Sequence, residues 1–118
     1  MTRKTELESY IEEREDLNRI LLEKADRVMK RFISLDSLTY GDGALNSTTK
    51  ELLGLVASTA LRCDDCIRYH LMRCGQLGVS EEEIVEALGI AMVVGGSITI
   101  PHIRRAVAFL EDMKLDRE

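Results

Sequence analysis

Apolar residues recur three or four positions apart along most of this chain, the repeat of one face of an α-helix. From about Thr5 to Ile33 the residues Leu7, Ile11, Leu17, Leu21, Ala25, Val28 and Phe32 trace such a stripe, which predicts one long amphipathic helix. Between Ser34 and Ser47 the pattern dissolves into Asp36, Ser37, Gly41, Asp42, Gly43 and Asn46, and a loop with room for one short turn is expected. Thr48 to Leu61 leaves little polar surface on any side, as a helix buried all round requires. Cys63 to Leu77 has mixed polarity and stops at Gly78. Ser80 with Glu83 forms a capping-box signature for a further helix through Ile84, Ala87, Leu88, Ala91 and Met92, ending at Gly95 and Gly96. After Pro101 a last amphipathic helix carries Ile103, Ala106, Val107, Leu110 and Met113 and frays into Asp116, Arg117 and Glu118. The expectation is an all-α fold of about five or six helices.

Composition narrows the class. At 118 residues the chain fits one domain, 1–118, with a long helix and loop over 1–46 and core helices over 47–114. Charged residues at 31% and hydrophobic residues at 45% exclude a disordered polymer and an integral membrane protein. The longest uncharged apolar segment, Ala87 to Ile100, has 14 residues and is interrupted by glycines, too short to span a bilayer. The net charge is −5 with basic and acidic residues interspersed, which argues against a nucleic-acid partner. No apolar stretch follows Met1 to Glu6, so no signal peptide is visible and a cytoplasmic location is expected. Two helices that want burial on every side exceed what a chain of this size encloses, so a homo-oligomer with an apolar interface is expected.

The chemistry concentrates in Arg62-Cys63-Asp64-Asp65-Cys66-Ile67-Arg68-Tyr69-His70. On a helix Cys63, Cys66 and His70 fall at i, i+3 and i+7 on one face. A cysteine pair with that spacing at a helix start can close a disulfide, and His70, one turn beyond Cys66, is placed to take its proton or stabilise its thiolate. Cys66 is the candidate nucleophile and Cys63 the resolving partner, although the roles are interchangeable on sequence alone. Asp64 and Asp65 oppose thiolate formation, and Arg62, Arg68 and the helix amino terminus favour it; both acids also suit a first helical turn. Cys74 reads as core packing, since on one straight helix it would lie roughly 16 Å from Cys63, beyond any shared zinc ion. A zinc site of Cys63, Cys66, His70 and a carboxylate ranks below redox chemistry. His102 reads as a helix-start residue with a smaller chance of lining the site.

Glu51, Cys63 twelve positions later and the Cys-x-x-Cys-x-x-x-His run together resemble the alkylhydroperoxidase D and carboxymuconolactone decarboxylase superfamily, over about Lys50 to Leu110. The resemblance implies a compact helical alkylhydroperoxidase D-like fold in trimers or hexamers, the hexamer favoured. It implies a thiol-dependent peroxidase or disulfide reductase, with Glu51 and His70 relaying protons to Cys66 and Cys63 resolving it. The implied partners are a hydroperoxide or small disulfide substrate and a dithiol reductant or redox protein; no cofactor or metal is needed. One departure from the alkylhydroperoxidase branch is Asp65, where a histidine is frequent. Glu51 has a second reading, since Thr48-x-x-Glu51 is itself a capping box. The relay also makes a demand on the fold: on an unbroken helix Glu51 and His70 would be ~28 Å apart, so the chain must turn near Ala60 to Arg62.

Two other functions fit the same residues. One is a decarboxylase or related lyase with Glu51 and His70 as acid and base. The other is a non-catalytic oligomer in which the motif is a metal or packing site.

Overall fold

A computed structural model describes residues 4–117, and among them every regular element is helical. The order is α1 (Glu6–Lys24), α2 (Arg27–Thr39), α3 (Ser47–Ala60), α4 (Asp64–Gln76), α5 (Glu81–Gly95), a 3-10 turn (Ser97–Thr99) and α6 (Ile100–Arg117). None of these helices is long and apolar enough to cross a membrane.

The expected single helix over Thr5–Ile33 is two helices. Asp26 interrupts it by accepting a hydrogen bond from the Met29 backbone at 2.9 Å, while Ala25 adopts an extended conformation. The expected loop from Ser34 is correspondingly shorter. α2 runs on to Thr39 because Ser37 and Thr39 turn their hydroxyls back onto the carbonyls of Ile33 and Leu35, at 3.4 and 2.7 Å, instead of leaving the helix. The remaining loop is closed by Lys50, whose Nζ donates to the Thr39 and Gly41 carbonyls at 2.9 and 2.7 Å and so satisfies the end of α2.

The core is built by the second half of the chain. α3 packs on α4 and α5, α4 on α6, and α6 on α1. Leu55, Ile67, Leu71, Ile84, Leu88 and Phe109 are all buried at their meeting point. The capping box read at Ser80 is formed, with Glu83 and Ser80 bonding reciprocally.

α3 and α5 are not buried all round within one chain, as their composition suggested. Leu53 on α3 and Val85, Ile90, Val93 and Val94 on α5 face outward. α2 contributes no buried residue, and its Phe32 and Leu38 are 72% and 76% exposed.

Candidate functional site

The corner between α3 and α4 creates the site. α3 ends in a Schellman motif: the Arg62 N–H donates to the Thr59 carbonyl and the Cys63 N–H to the Ser58 carbonyl, both at 3.0 Å. Arg62 occupies the left-handed position of that motif, φ 62°, where glycine is usual. Holding a side-chain-bearing residue there costs on the order of 1 kcal/mol or more. The reversal brings α4 back along α3, so that residues far apart in sequence become neighbours.

Cys63 leaves the corner in extended conformation and is the N-cap of α4, its Sγ accepting from the Cys66 backbone N–H at 3.3 Å. Cys66, in the first turn, is joined to it as a disulfide, with the alpha carbons 5.3 Å apart. Cys66 is exposed and Cys63 half-buried, so the pair lies at the surface end of the helix. A cavity of about 340 Å³ lies between α1 and the first turns of α4, lined by Tyr10, Arg14, Leu17, Asp65 and Arg68 among others but by neither cysteine. Tyr10 anchors its floor: its hydroxyl donates to the Asp65 carbonyl at 3.3 Å and its ring meets Phe109 edge-on. Burial pushes the Tyr10 phenol up to about 12, so it stays protonated.

One turn below Cys66, His70 is buried against α3. Its Nδ1 lies 2.7 Å from Glu51 Oε2, and the Glu51 side chain is itself only 1% exposed. With Glu51 as a carboxylate, Nδ1 is the donor of that contact, and Nε2 is the ring nitrogen left to accept. Tyr40 faces it, with its Oη 3.5 Å from Nε2. Burial, followed by the charges of Asp36 and Glu51, raises the Tyr40 phenol above its ordinary value, so Tyr40 is the donor of that pair. Arg73 Nε approaches the other Glu51 oxygen at 3.6 Å. A buried carboxylate with two such neighbours escapes the penalty of an isolated charge.

These contacts overturn the capping-box reading of Thr48 and Glu51. The N-cap of α3 is Asn46, whose side chain accepts from the Thr49 N–H at 2.8 Å, and Glu51 points into the core instead. The fold thus brings Glu51, Cys63, Cys66 and His70 to one corner. Cys74 is excluded from it. It is fully buried, and its thiol is pushed up to about 12 by burial and by the charge of Glu51, so it is held as an inert neutral thiol.

Several residues of this corner were not read from the sequence as part of it. Tyr40 arrives on the loop that Lys50 fastens, and no spacing rule links it to His70. Gly54 lies one turn after Glu51 on α3, directly under the imidazole. His102 and Arg105 on α6 both bind Asp64, at 2.8 Å from Nδ1 to Oδ1 and 3.0 Å from Nε to Oδ2. His102 is therefore more than a helix-start residue. Against the upward pull of its partial burial, the hydrogen bonds from His102 and Arg105 hold the Asp64 carboxyl below its ordinary value. Among the described residues no group of three or more His, Cys, Asp and Glu side chains is arranged to hold a metal ion.

Known proteins share this arrangement of chain. The chain is 28% identical over 82 residues to an uncharacterized protein of the cox locus of Paracoccus denitrificans, covering 70% of this chain and 74% of that one. A crystal structure of protein TM1620 from Thermotoga maritima superposes with a TM-score of 0.90 at 59% identity, covering 92% of this chain and 96% of that one. A second structure of the Thermotoga protein, at a TM-score of 0.86 and 90% coverage of each chain, describes it as a carboxymuconolactone decarboxylase family protein with a suggested part in antioxidative response. The apo form of lpg0406 from Legionella pneumophila, of the same family, superposes at 0.76 with 28% identity over 92% of this chain and 94% of that one. The sequence profile of the Carboxymuconolactone decarboxylase family matches residues 26–111, and with the all-helical fold this establishes that the chain belongs to that family, within the alkylhydroperoxidase D-like superfamily.

Proposed function

We propose that this protein is a thiol-dependent peroxidase or disulfide reductase of the alkylhydroperoxidase D type, cycling through the Cys63–Cys66 disulfide. The observation that carries the proposal is the joined cysteine pair at the start of α4, one turn from a buried Glu51–His70 pair. In the reduced protein His70, oriented by Glu51 through Nδ1, accepts the Cys66 proton at Nε2, and the Tyr40 hydroxyl, 3.5 Å away, turns aside to leave that nitrogen free. The Cys66 thiolate attacks the distal oxygen of a hydroperoxide, the O–O bond breaks, and the alcohol leaves with a proton. Cys66 is then a sulfenic acid. Cys63 condenses with it, forming the S–S bond and releasing water. A dithiol reductant or redox protein returns two electrons and two protons and reopens the pair. The part in antioxidative response suggested for the Thermotoga maritima relative agrees with this cycle, and we assign the protein to the cytoplasm, where dithiol reductants are kept reduced.

Exposure of Cys66 to solvent supports its role as the attacking sulfur, and the position of Cys63 as N-cap supports its role as the sulfur already within reach. The Asp64 charge, bound by two α6 side chains, weighs less against the thiolate than the bare sequence suggests.

The test is stoichiometric. One equivalent of cumene hydroperoxide added to the reduced protein should remove two daltons and join Cys63 to Cys66 in the peptide map. Glu51→Gln, which keeps the shape of the side chain and removes its charge, should slow this step by about 100-fold, the lower end of what a general base contributes, because it weakens His70 as the base without removing it. A reduced protein whose mass peroxide leaves unchanged would refute the proposal. The Glu51–His70 pair would equally serve a lyase as acid and base; turnover of a cyclic lactone acid surviving Cys63→Ser with Cys66→Ser would favour that function.

A further inference from the structure

The cysteine pair shares its helix start with Asp64, the residue between the N-cap Cys63 and the rest of the first turn. A helix amino terminus attracts one anion most strongly at its first turn, and a carboxylate there competes with a thiolate for that field and repels it. Asp64 is nevertheless not left facing the sulfurs alone. Both of its oxygens are taken by the first turns of α6: Oδ1 by His102 Nδ1 at 2.8 Å, and Oδ2 by Arg105 Nε at 3.0 Å. Arg105 also approaches His102 Nδ1 through its terminal nitrogen at 3.2 Å. Since the shorter contact is to the carboxylate, Nδ1 carries the proton and acts as donor there. The three residues close a small cleft between α4 and α6, with Glu6 of α1 and Arg68 of α4 beside them. Other titratable or charged groups around the pair are Arg62 before the helix, Asp65 within its first turn and, one turn below, His70 with Glu51.

We propose that His102 and Arg105 are positioning residues that act through Asp64: they draw its carboxylate toward α6 and neutralise it, so that it does not oppose thiolate formation at Cys66. The inference rests on the reading of the pair as redox-active, and it names the part of the molecule that tunes it. Neither α6 side chain hydrogen-bonds to the sulfurs. Their effect runs mainly through the Asp64 carboxylate, and when Asp64 has no charge to hold only the weaker direct field of Arg105 remains.

That last condition gives the test. The full-length protein is reduced, and iodoacetamide alkylation of Cys66 is followed by peptide mass across pH 5 to 10; the midpoint of the rate profile reports the thiol's acidity. Arg105→Ala should move the midpoint upward by about half a pH unit, a roughly threefold loss of thiolate at any pH well below the midpoint. Arg105→Lys, which keeps the charge, should recover most of that loss. Asp64→Asn should move the midpoint downward. In the Asp64→Asn background, Arg105→Ala should produce less than half of its effect in the parent. A packing role alone would change thermal stability without moving the midpoint. Two outcomes overturn the inference: an Arg105→Ala midpoint equal to the parent's, or an equal shift with and without Asp64. A parallel titration of the parent against glutathione separates this from the functional reading. There Cys63 and Cys66 yield two electrons and two protons to oxidised glutathione, which becomes two thiols. A parent that never forms the disulfide across that range refutes the redox reading and the inference with it, whereas a cycling parent with an immovable Arg105→Ala midpoint refutes the inference alone.

Discussion

Gly54 lies flat beneath the imidazole of His70: a Cβ built on Gly54 would come within 2.6 Å of Cε1 and 2.9 Å of Nδ1. Carbon atoms do not approach that closely, so the missing side chain is what allows the ring to rest against α3 and reach Glu51 at 2.7 Å. The glycine is needed for space, not for backbone freedom.

Gly54→Ala should therefore push the ring away from Glu51. Crowding of this kind costs about 1–3 kcal/mol of stability, and a misplacement of about 1 Å lowers the rate of a positioned reaction about 100-fold. The expected result is a folded protein whose Cys63–Cys66 disulfide still forms with strong chemical oxidants but whose peroxide consumption falls by about two orders of magnitude, followed by stopped-flow kinetics. A rate within twofold of the parent would show that the ring position does not govern the chemistry.

Cys74 should behave as a thiol that does not take part. Its proton is held up to about 12 in the folded protein, against about 8.5 for an unhindered cysteine. Because the folded value is the higher one, the unfolded chain releases this proton first as pH rises, and stability falls between roughly pH 8.5 and 12. At pH 8 the reduced native protein should take two iodoacetamide adducts, on Cys63 and Cys66, with the third appearing only in denaturant. Cys74→Ala should flatten the alkaline loss of stability measured by urea titration at pH 8 and 10.

The outer faces of α2 and α5 expose more apolar surface than a lone soluble chain keeps. Val93 is 86% exposed, Val28 75% and Phe32 72%, and patches of this kind mark association surfaces. The protein should sediment as a homo-oligomer, with a trimer or hexamer expected, and Phe32→Glu combined with Val93→Glu should return it toward 13.3 kDa. A sharp monomer at micromolar concentration would remove the idea.

Much of this was legible in the residues. The helical class follows from periodicity. The α5 start follows from Ser80 and Glu83, whose reciprocal caps are local and need nothing else in the chain. Cys63, Cys66 and His70 were readable as a unit because they share one helix, and Glu51 entered only by resemblance. What was hidden depends on the corner at Arg62. Once the chain reverses there, Tyr40 and Gly54 become neighbours of His70, and His102 and Arg105 of Asp64, across separations of 16 to 41 residues, and no spacing rule reaches that far. The first forty residues were misread for a different reason. Asp26 resembles an ordinary charge on a helical stripe until its side chain is seen to start a second helix, and Ser37 and Thr39 resemble loop formers until their hydroxyls are seen to bond backward.

Cys63 holds two offices at once: its N–H closes the end of α3, and its sulfur caps the beginning of α4. Replacing it by alanine would remove a reactive atom and a fastening of the bend together, and an inactive protein would not say which loss mattered. Serine is the informative replacement, because an oxygen at that point caps a helix better than sulfur does while forming no bond to Cys66. The serine form therefore isolates the chemistry, and the alanine form speaks of architecture only through its difference from the serine form.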